Sequence, residues 1–299
     1  MPQAGDGAIG GSVPLALPAV LPMIRPMTAS DVAPAADVVL RGGWGDRRRF
    51  FEFAVAHDVC RPFVAVDGSD IAGTGVATIN GHAGWIGTIF VAPDRRARGL
   101  GQALTLEVIG ALEDAGCRVL VLVATDLGRP VYEKLGFELE TEYHVFEHER
   151  RVRLARRAVD SSIRPFAATD LGEAVELDRA ATGEDRAALL AAVAGVPGGL
   201  ALRHGGGALG GFVLRAPWGG GATIAPDPAD ATRLLDRRLD RDGTSDRVRA
   251  GVLAENVDGL RRLEASGWRP THVATRMIRG GPLAWQPTSI WGQFGFATG

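Results

Sequence analysis

The stretch Val91–Leu104, VAPDRRARGLGQAL, reads as a strand ending, a proline break, three arginines and a Gly-Leu-Gly that opens an amphipathic helix. A helix start presents N–H groups with no intrahelical acceptor, and the helix dipole is positive there, so the turn suits a pyrophosphate. Gly99 and Gly101 let phosphate oxygens approach the backbone, and Arg96 and Arg98 can add charge-assisted hydrogen bonds at the rim. A surface turn that merely uses glycine is the plainer alternative.

Two other phosphate loops do not fit. No Gly-Lys-Ser/Thr follows, as a P-loop requires. A dinucleotide fingerprint needs a third glycine where Leu104 stands, and a βαβ unit ahead of the turn. Downstream, Val119–Phe137, VLVLVATDLGRPVYEKLGF, reads as a buried strand, a polar turn and a helix closed by Leu-Gly-Phe. The Arg-x-x-Gly-x-Gly of Arg96, Gly99 and Gly101, followed by the block Tyr132–Phe137, resembles the coenzyme-binding parts of the GNAT N-acetyltransferases.

That resemblance implies an α/β (α+β) fold with a mixed, mostly antiparallel central sheet flanked by helices. It implies acetyl-CoA as cofactor, held by Phe90, Val91, Arg96, Ala97, Arg98, Gly99, Leu100, Gly101, Gln102, Thr125, Gly128, Tyr132 and Lys134. Many members carry asparagine at the place of Thr125 and alanine at that of Gly128. Tyr132 is expected to be the general acid that protonates the leaving thiolate, or holds it by a hydrogen bond. Its alternative is a packed aromatic with a satisfied hydroxyl. Lys134 is the chain's sole lysine in an Arg-, Ala- and Gly-rich composition that suggests a GC-rich genome, and it reads equally as a solvated helix residue.

Composition agrees with an enzyme of two domains. The chain has 299 residues, and 46% hydrophobic content is enough for two cores. A formal net charge of −2 gives no electrostatic footprint for nucleic acid or an anionic membrane. Two scattered cysteines, Cys60 and Cys117, suit neither a disulfide framework nor a metal site, and a reducing cytoplasm is the default. Residues 1–22 lack a basic start and carry Pro14, Pro18 and Pro22, so we read a flexible extension rather than a signal peptide.

The chain also repeats itself. Ile24-Arg25-Pro26, leading to Ser30-Asp31, returns as Ile163-Arg164-Pro165, leading to Thr169-Asp170, each reading as a strand and then a capped helix. Arg61–Val66 with Asp67-Gly68 matches Gly199–Arg203 with His204-Gly205. Glu133–Phe137 is echoed by Glu264–Trp268. A catalytic domain over 23–150, a basic linker over 151–161 and a second copy over 162–299 are expected. In that copy Ile224-Ala225-Pro226-Asp227 runs into Pro228-Ala229-Asp230, without the glycines or their arginines, and the tyrosine position falls at Leu263 or a neighbour, with no phenol available. It resembles the degenerate C-terminal half of bacterial tandem GNAT proteins, with Asn256, Gly267, Arg276, Met277 and Gly280 in packing and turn roles.

The expected chemistry is attack of a small-molecule primary amine on the thioester, with backbone N–H donors near Ile89-Phe90-Val91 stabilising the oxyanion. Trp44, Asp46, Glu52, His82 and Trp85 are the acceptor-side candidates, with His57 comparable, and each has a solvated or core alternative. An acyl-CoA sensor without catalysis, a longer acyl donor and a protein amine acceptor are the rival readings. Acceptor identity, the general base and the oligomeric state have no signal in the sequence.

Overall fold

The computed structural model of the chain describes residues 22–149, 160–240 and 247–299. The expected extension and linker therefore fall almost wholly outside the described residues. The first half runs β1 (Met23–Pro26), α1 (Val32–Arg41), α2 (Arg48–Ala56), β2 (Cys60–Asp67), β3 (Asp70–Asn80), β4 (Ala83–Val91), α3 (Leu100–Asp114), β5 (Val119–Ala124), α4 (Arg129–Lys134) and β6 (Glu138–Glu149). The second runs β7 (Ile163–Pro165), α5 (Leu171–Thr182), α6 (Ala187–Val193), β8 (Leu200–Arg203), β9 (Leu209–Arg215), β10 (Gly221–Ile224), α7 (Pro228–Leu239), β11 (Arg247–Leu253), α8 (Val257–Ala265), β12 (Arg269–Arg279) and β13 (Ile290–Gly292).

The repeated Ile-Arg-Pro string has a physical task. The Arg25 guanidinium donates from both terminal nitrogens to Asp31, at 2.7 and 2.8 Å, and Asp31 also accepts from the Thr28 N–H. Arg164 makes the same fork to Asp170, which accepts from the Ala167 N–H. A bidentate pair of this kind fixes direction as well as distance, so each copy ties its first strand to the start of its first helix. Burial pushes the Asp170 carboxyl up, but the hydrogen bonds from Arg164, Ala167 and Arg203 outweigh it and hold the group at about 2.

Helices cover the first sheet on both faces. Helices α1 and α2 bury Val32, Ala35, Ala36 and Val39, then Phe50, Phe51 and Phe53, on one side. Helix α3 buries Leu100, Leu104, Val108 and Leu112, spaced one turn apart, against the other.

The two halves share a sheet. Its eight strands run β1-β2-β3-β4-β5-β12-β6-β11, while a second sheet of five runs β13-β10-β9-β8-β7. Strand β12, from the second half, lies antiparallel between β5 and β6, and β6, from the first half, lies between β12 and β11. Each exchanged strand carries a core residue across. Met277 packs with Leu120, Leu122, Tyr132 and Phe137, whereas Phe146 packs with Leu200, Leu234, Trp268 and Trp291.

This exchange couples the halves into one unit. Calorimetry of the full chain is expected to show one cooperative transition, and Phe146→Ala should lower that whole transition by about 3–5 kcal/mol. Two resolved transitions, only one of them moved by the substitution, would contradict the shared sheet.

Candidate active site

The glycine loop is an open run of donors. The N–H groups of residues 96–102 make no hydrogen bond within the described residues, and the ladder of α3 resumes with the Ala103 N–H donating to Gly99 O at 3.0 Å. Ala97 and Gly99 have positive φ, 60° and 80°, left-handed conformations of the kind from which anion-binding nests are built. A side chain on Gly99 meets no atom within 4 Å, so the requirement there is conformational rather than spatial. Leu100 and Leu104 anchor the loop from below, packed with Ala65 and Ala72. Arg95 is held by Asp67 and Asp94, and Arg96 donates its Nε to Val91 O at 3.1 Å. Arg98 and Gln102 are exposed beside the amides.

Beside this loop the sheet opens. Strands β4 and β5 pair in parallel from Ala83 with Val119 to Ile86 with Leu122, and no further. Past that point β4 bulges: Val76 faces Gly87 and Thr74 faces Phe90, so Thr88 and Ile89 together oppose Gly75. Thr88 sits at φ 51°, and its carbonyl accepts from the Thr74 hydroxyl at 2.9 Å. A bulge leaves backbone groups out of the ladder and bends the strand, which here turns Ile89–Val91 away from β5.

Tyr132 lies on α4, the helix after β5. It is buried against Phe137, ring centroids 6.2 Å apart, and no partner to its hydroxyl occurs among the described residues. Burial pushes the phenol up to about 12, so it keeps its proton at neutral pH. The Thr125 hydroxyl oxygen accepts from the Gly128 N–H at 3.2 Å, opening α4. A methyl on Gly128 would come 3.0 Å from the Tyr132 ring, so the small residue makes room for the phenol. Lys134 is exposed at the end of the same helix.

The acceptor-side candidates are spread out. Trp44 meets Phe90 edge to face at 5.6 Å, close to the strand's bulged end. Asp46 accepts from the Arg48 N–H at the start of α2, and Glu52 is exposed on that helix. His57 stacks on Phe53, while His82 is exposed in the β3–β4 turn, at the opposite end of β4 from the gap. Trp85 is buried and donates its indole N–H to Glu184 of the second half at 2.9 and 3.0 Å.

The face of β3 and β4 away from α3 is covered by the second half, through residues that the sequence did not single out. The Thr78 hydroxyl donates to Ala297 O, the Asn80 side chain donates to Glu184 and to Thr298 O, and Ala297 lies so close over Gly87 that a side chain there would overlap it. No local pattern around Glu184 or Ala297 marks them, because their partners are about a hundred residues or more away.

The second copy closes the equivalent places. The Asp227 carboxylate accepts from the Ala229 N–H at 2.7 Å, putting a built-in anion on the start of α7. Strand β13 pairs with β10 on the side where β4 meets β5 in the first half. Leu263 and Met277 are core residues, Asn256 caps α8, and Gly267 and Gly280 have φ of 84° and 99°.

Comparison with known proteins agrees with this geometry. The acetyltransferase (GNAT) family matches residues 36–137, and an acetyltransferase (GNAT) domain matches residues 174–292. The chain belongs to the GNAT acetyltransferase superfamily, with two such domains in tandem. A candidate acetyltransferase from Pyrococcus horikoshii superposes with a TM-score of 0.78 at 19% identity, covering 97% of this chain and all of that one (100%). A tandem GNAT protein of the clavulanic acid biosynthesis pathway gives 0.58 at 15%, covering 87% and 99%. These likenesses speak for the fold alone. A glucosamine 6-phosphate N-acetyltransferase from Trypanosoma brucei brucei is 35% identical over 71 residues, 24% of this chain and 43% of that protein. The chain thus spans less than half the length of this curated relative.

Gly99→Glu tests the loop. A non-glycine residue at left-handed φ costs about 1–2 kcal/mol, and the carboxylate adds repulsion toward phosphate. Coenzyme A is expected to raise the Tm of the parent chain, and the variant to stay folded and lose that rise; an unchanged rise would remove the loop as the binding site.

Proposed function

We propose that the chain is an acetyl-CoA-dependent N-acetyltransferase acting on a primary amine of a small molecule. The observation that carries this reading is the run of unpartnered N–H groups at residues 96–102, which follows the part of β4 that has left β5, together with a protonated Tyr132 on the helix after β5. When bound, acetyl-CoA supplies an activated acetyl thioester. The amides of the loop, with Arg96 and Arg98, bind pyrophosphate oxygens. Thr125 and Gly128 line the arm of the gap that leads to Tyr132, and the bulged segment Thr88–Val91 offers backbone donors to an acyl oxygen. The Tyr132 Oη–H gives its proton to a departing thiolate, for which a phenol at about 12 is a suitable donor.

The family and the free phenol favour catalysis over silent binding. The acceptor of the curated relative makes amino-sugar phosphates the first compounds to screen, along with amino acids and polyamines. Both cysteines are buried and unpaired, in keeping with a reducing cytoplasm, and no helix among the described residues is long and apolar enough to cross a membrane.

Three measurements follow. Tyr132→Phe is expected to lower kcat about 10²–10⁴-fold while leaving coenzyme affinity within a few-fold. Because the folded phenol lies near 12, the parent enzyme should show no loss of rate from this group up to pH 10. Titration calorimetry should give one coenzyme A per chain, since Asp227 and β13 occupy the second copy's equivalent places; two would refute that assignment.

A further inference from the structure

The two strands that flank β5 both outrun it. Strand β5 ends at Ala124, level with Thr275 of β12, while β12 continues along β6 as far as Arg269 beside Glu147. On the other side, β4 leaves β5 after Ile86 and runs on to Val91. Strands on either side of a common neighbour stand about 10 Å apart, so past Ala124 a slot of at least that width separates β4 from β12. The slot is open to solvent. Thr125, Asp126 and Leu127 at its floor and residues 269–273 along its β12 side are all exposed.

Two cations meet across it. Arg47 lies in the connection between α1 and α2, which packs on the outrunning end of β4 where Trp44 meets Phe90. Arg249 of β11 belongs to the other side, where its Nε donates to Glu147 of β6 at 2.7 Å. Although they start from opposite sides, the two guanidiniums are close enough to repel each other. Glu147 is already shared between Arg249 and Arg247, and the half-buried Arg47 makes no ion pair or side-chain hydrogen bond among the described residues. Burial pushes Arg47 below its ordinary value and Arg249 lowers it further, more than the exposed Asp46 beside it restores. A partly desolvated guanidinium next to a like charge is costly, and an anion between the two removes that cost. A side chain added at Gly43 or Gly45 meets no atom within 4 Å, so the connection that carries Arg47 borders open space.

We propose that Arg47 and Arg249 bind an anionic group, phosphate or carboxylate, carried by the acceptor, so that the substrates are amines that also bear such a group. Guanidinium forks match both anions bidentately. Three residues of chain span at most about 11 Å, so Arg47 holds its anion within small-molecule distance of the Trp44–Phe90 contact. That contact marks the strand end which meets the acyl oxygen in the acetyltransferase reading, on which this inference rests. A polyamine, carrying only positive charge, is repelled by the same pair.

Matched acceptors separate the inference from the reading beneath it. Thiol release from acetyl-CoA is measured with glucosamine 6-phosphate against glucosamine, and with amino acids against the amines left by their decarboxylation, for wild type, Arg47→Ala and Arg47→Lys. The coenzyme-induced Tm shift serves as the folding control. Wild type should favour the anionic member of at least one pair by about 10–100-fold in kcat/KM. Arg47→Ala should remove that preference by raising KM for the anionic member, and Arg47→Lys, which keeps the charge without the fork, should retain part of it. The sugar pair and the amino-acid pairs distinguish phosphate from carboxylate. A wild type that acetylates the neutral members as well as the anionic ones overturns this inference and leaves the acetyltransferase reading standing. A preference that survives in folded Arg47→Ala, or is undiminished in Arg47→Lys should the alanine variant fail to fold, overturns the assignment of Arg47. A wild type inert toward every amine overturns the acetyltransferase reading and takes this inference with it.

Discussion

The insertion of β12 between β5 and β6 is the constraint on which the rest of the molecule depends. Strand pairing satisfies every backbone donor and acceptor along it only if both neighbours are in register, and here those neighbours belong to the other half. The same insertion delivers Met277 to the core beneath Tyr132 and sets Arg276 across the face of Trp85. The first half therefore completes neither its sheet nor the face opposite α3 without the second.

Against that shared sheet, the parting of β4 and β5 is a local exception. Four residue pairs hold the strands together, and then the bulge at Thr88 and Ile89 lets β4 bend away. The loop after it leaves amides unpaired at the positive end of α3, a cost that a bound anion would offset. In the second half the same two places are filled, by a cap carboxylate at Asp227 and by strand β13. The contrast makes physical sense of one copy being open and the other closed.

How much was legible depended on the reach of the interaction. The loop, the Tyr132 helix and the Arg–Asp clamps are local: Arg25 and Asp31 are six residues apart, and so are Arg164 and Asp170. Each shows as a string that repeats, with a chemical reason attached. The acceptor side was not legible in this way. Trp85 stands among the acceptor-side candidates with a core alternative; it is buried, its indole N–H serves Glu184, and nothing near residue 184 signals that a buried carboxylate lies there. Asp46 and His82 carry suitable side chains, but the fold places one at a helix start and the other on an exposed turn.

The sequence by itself determined the superfamily, the duplication and the half that keeps an open glycine loop, because glycine, proline and capping chemistry act within a few residues. Only the tertiary structure decided that β6 and β12 are exchanged between the halves, and which residues of the second half cover the face of β3 and β4 away from α3. Strand partners and buried polar pairs are chosen by the summed packing of the whole chain, and residues as distant as Asn80 and Thr298 meet only once that packing is complete.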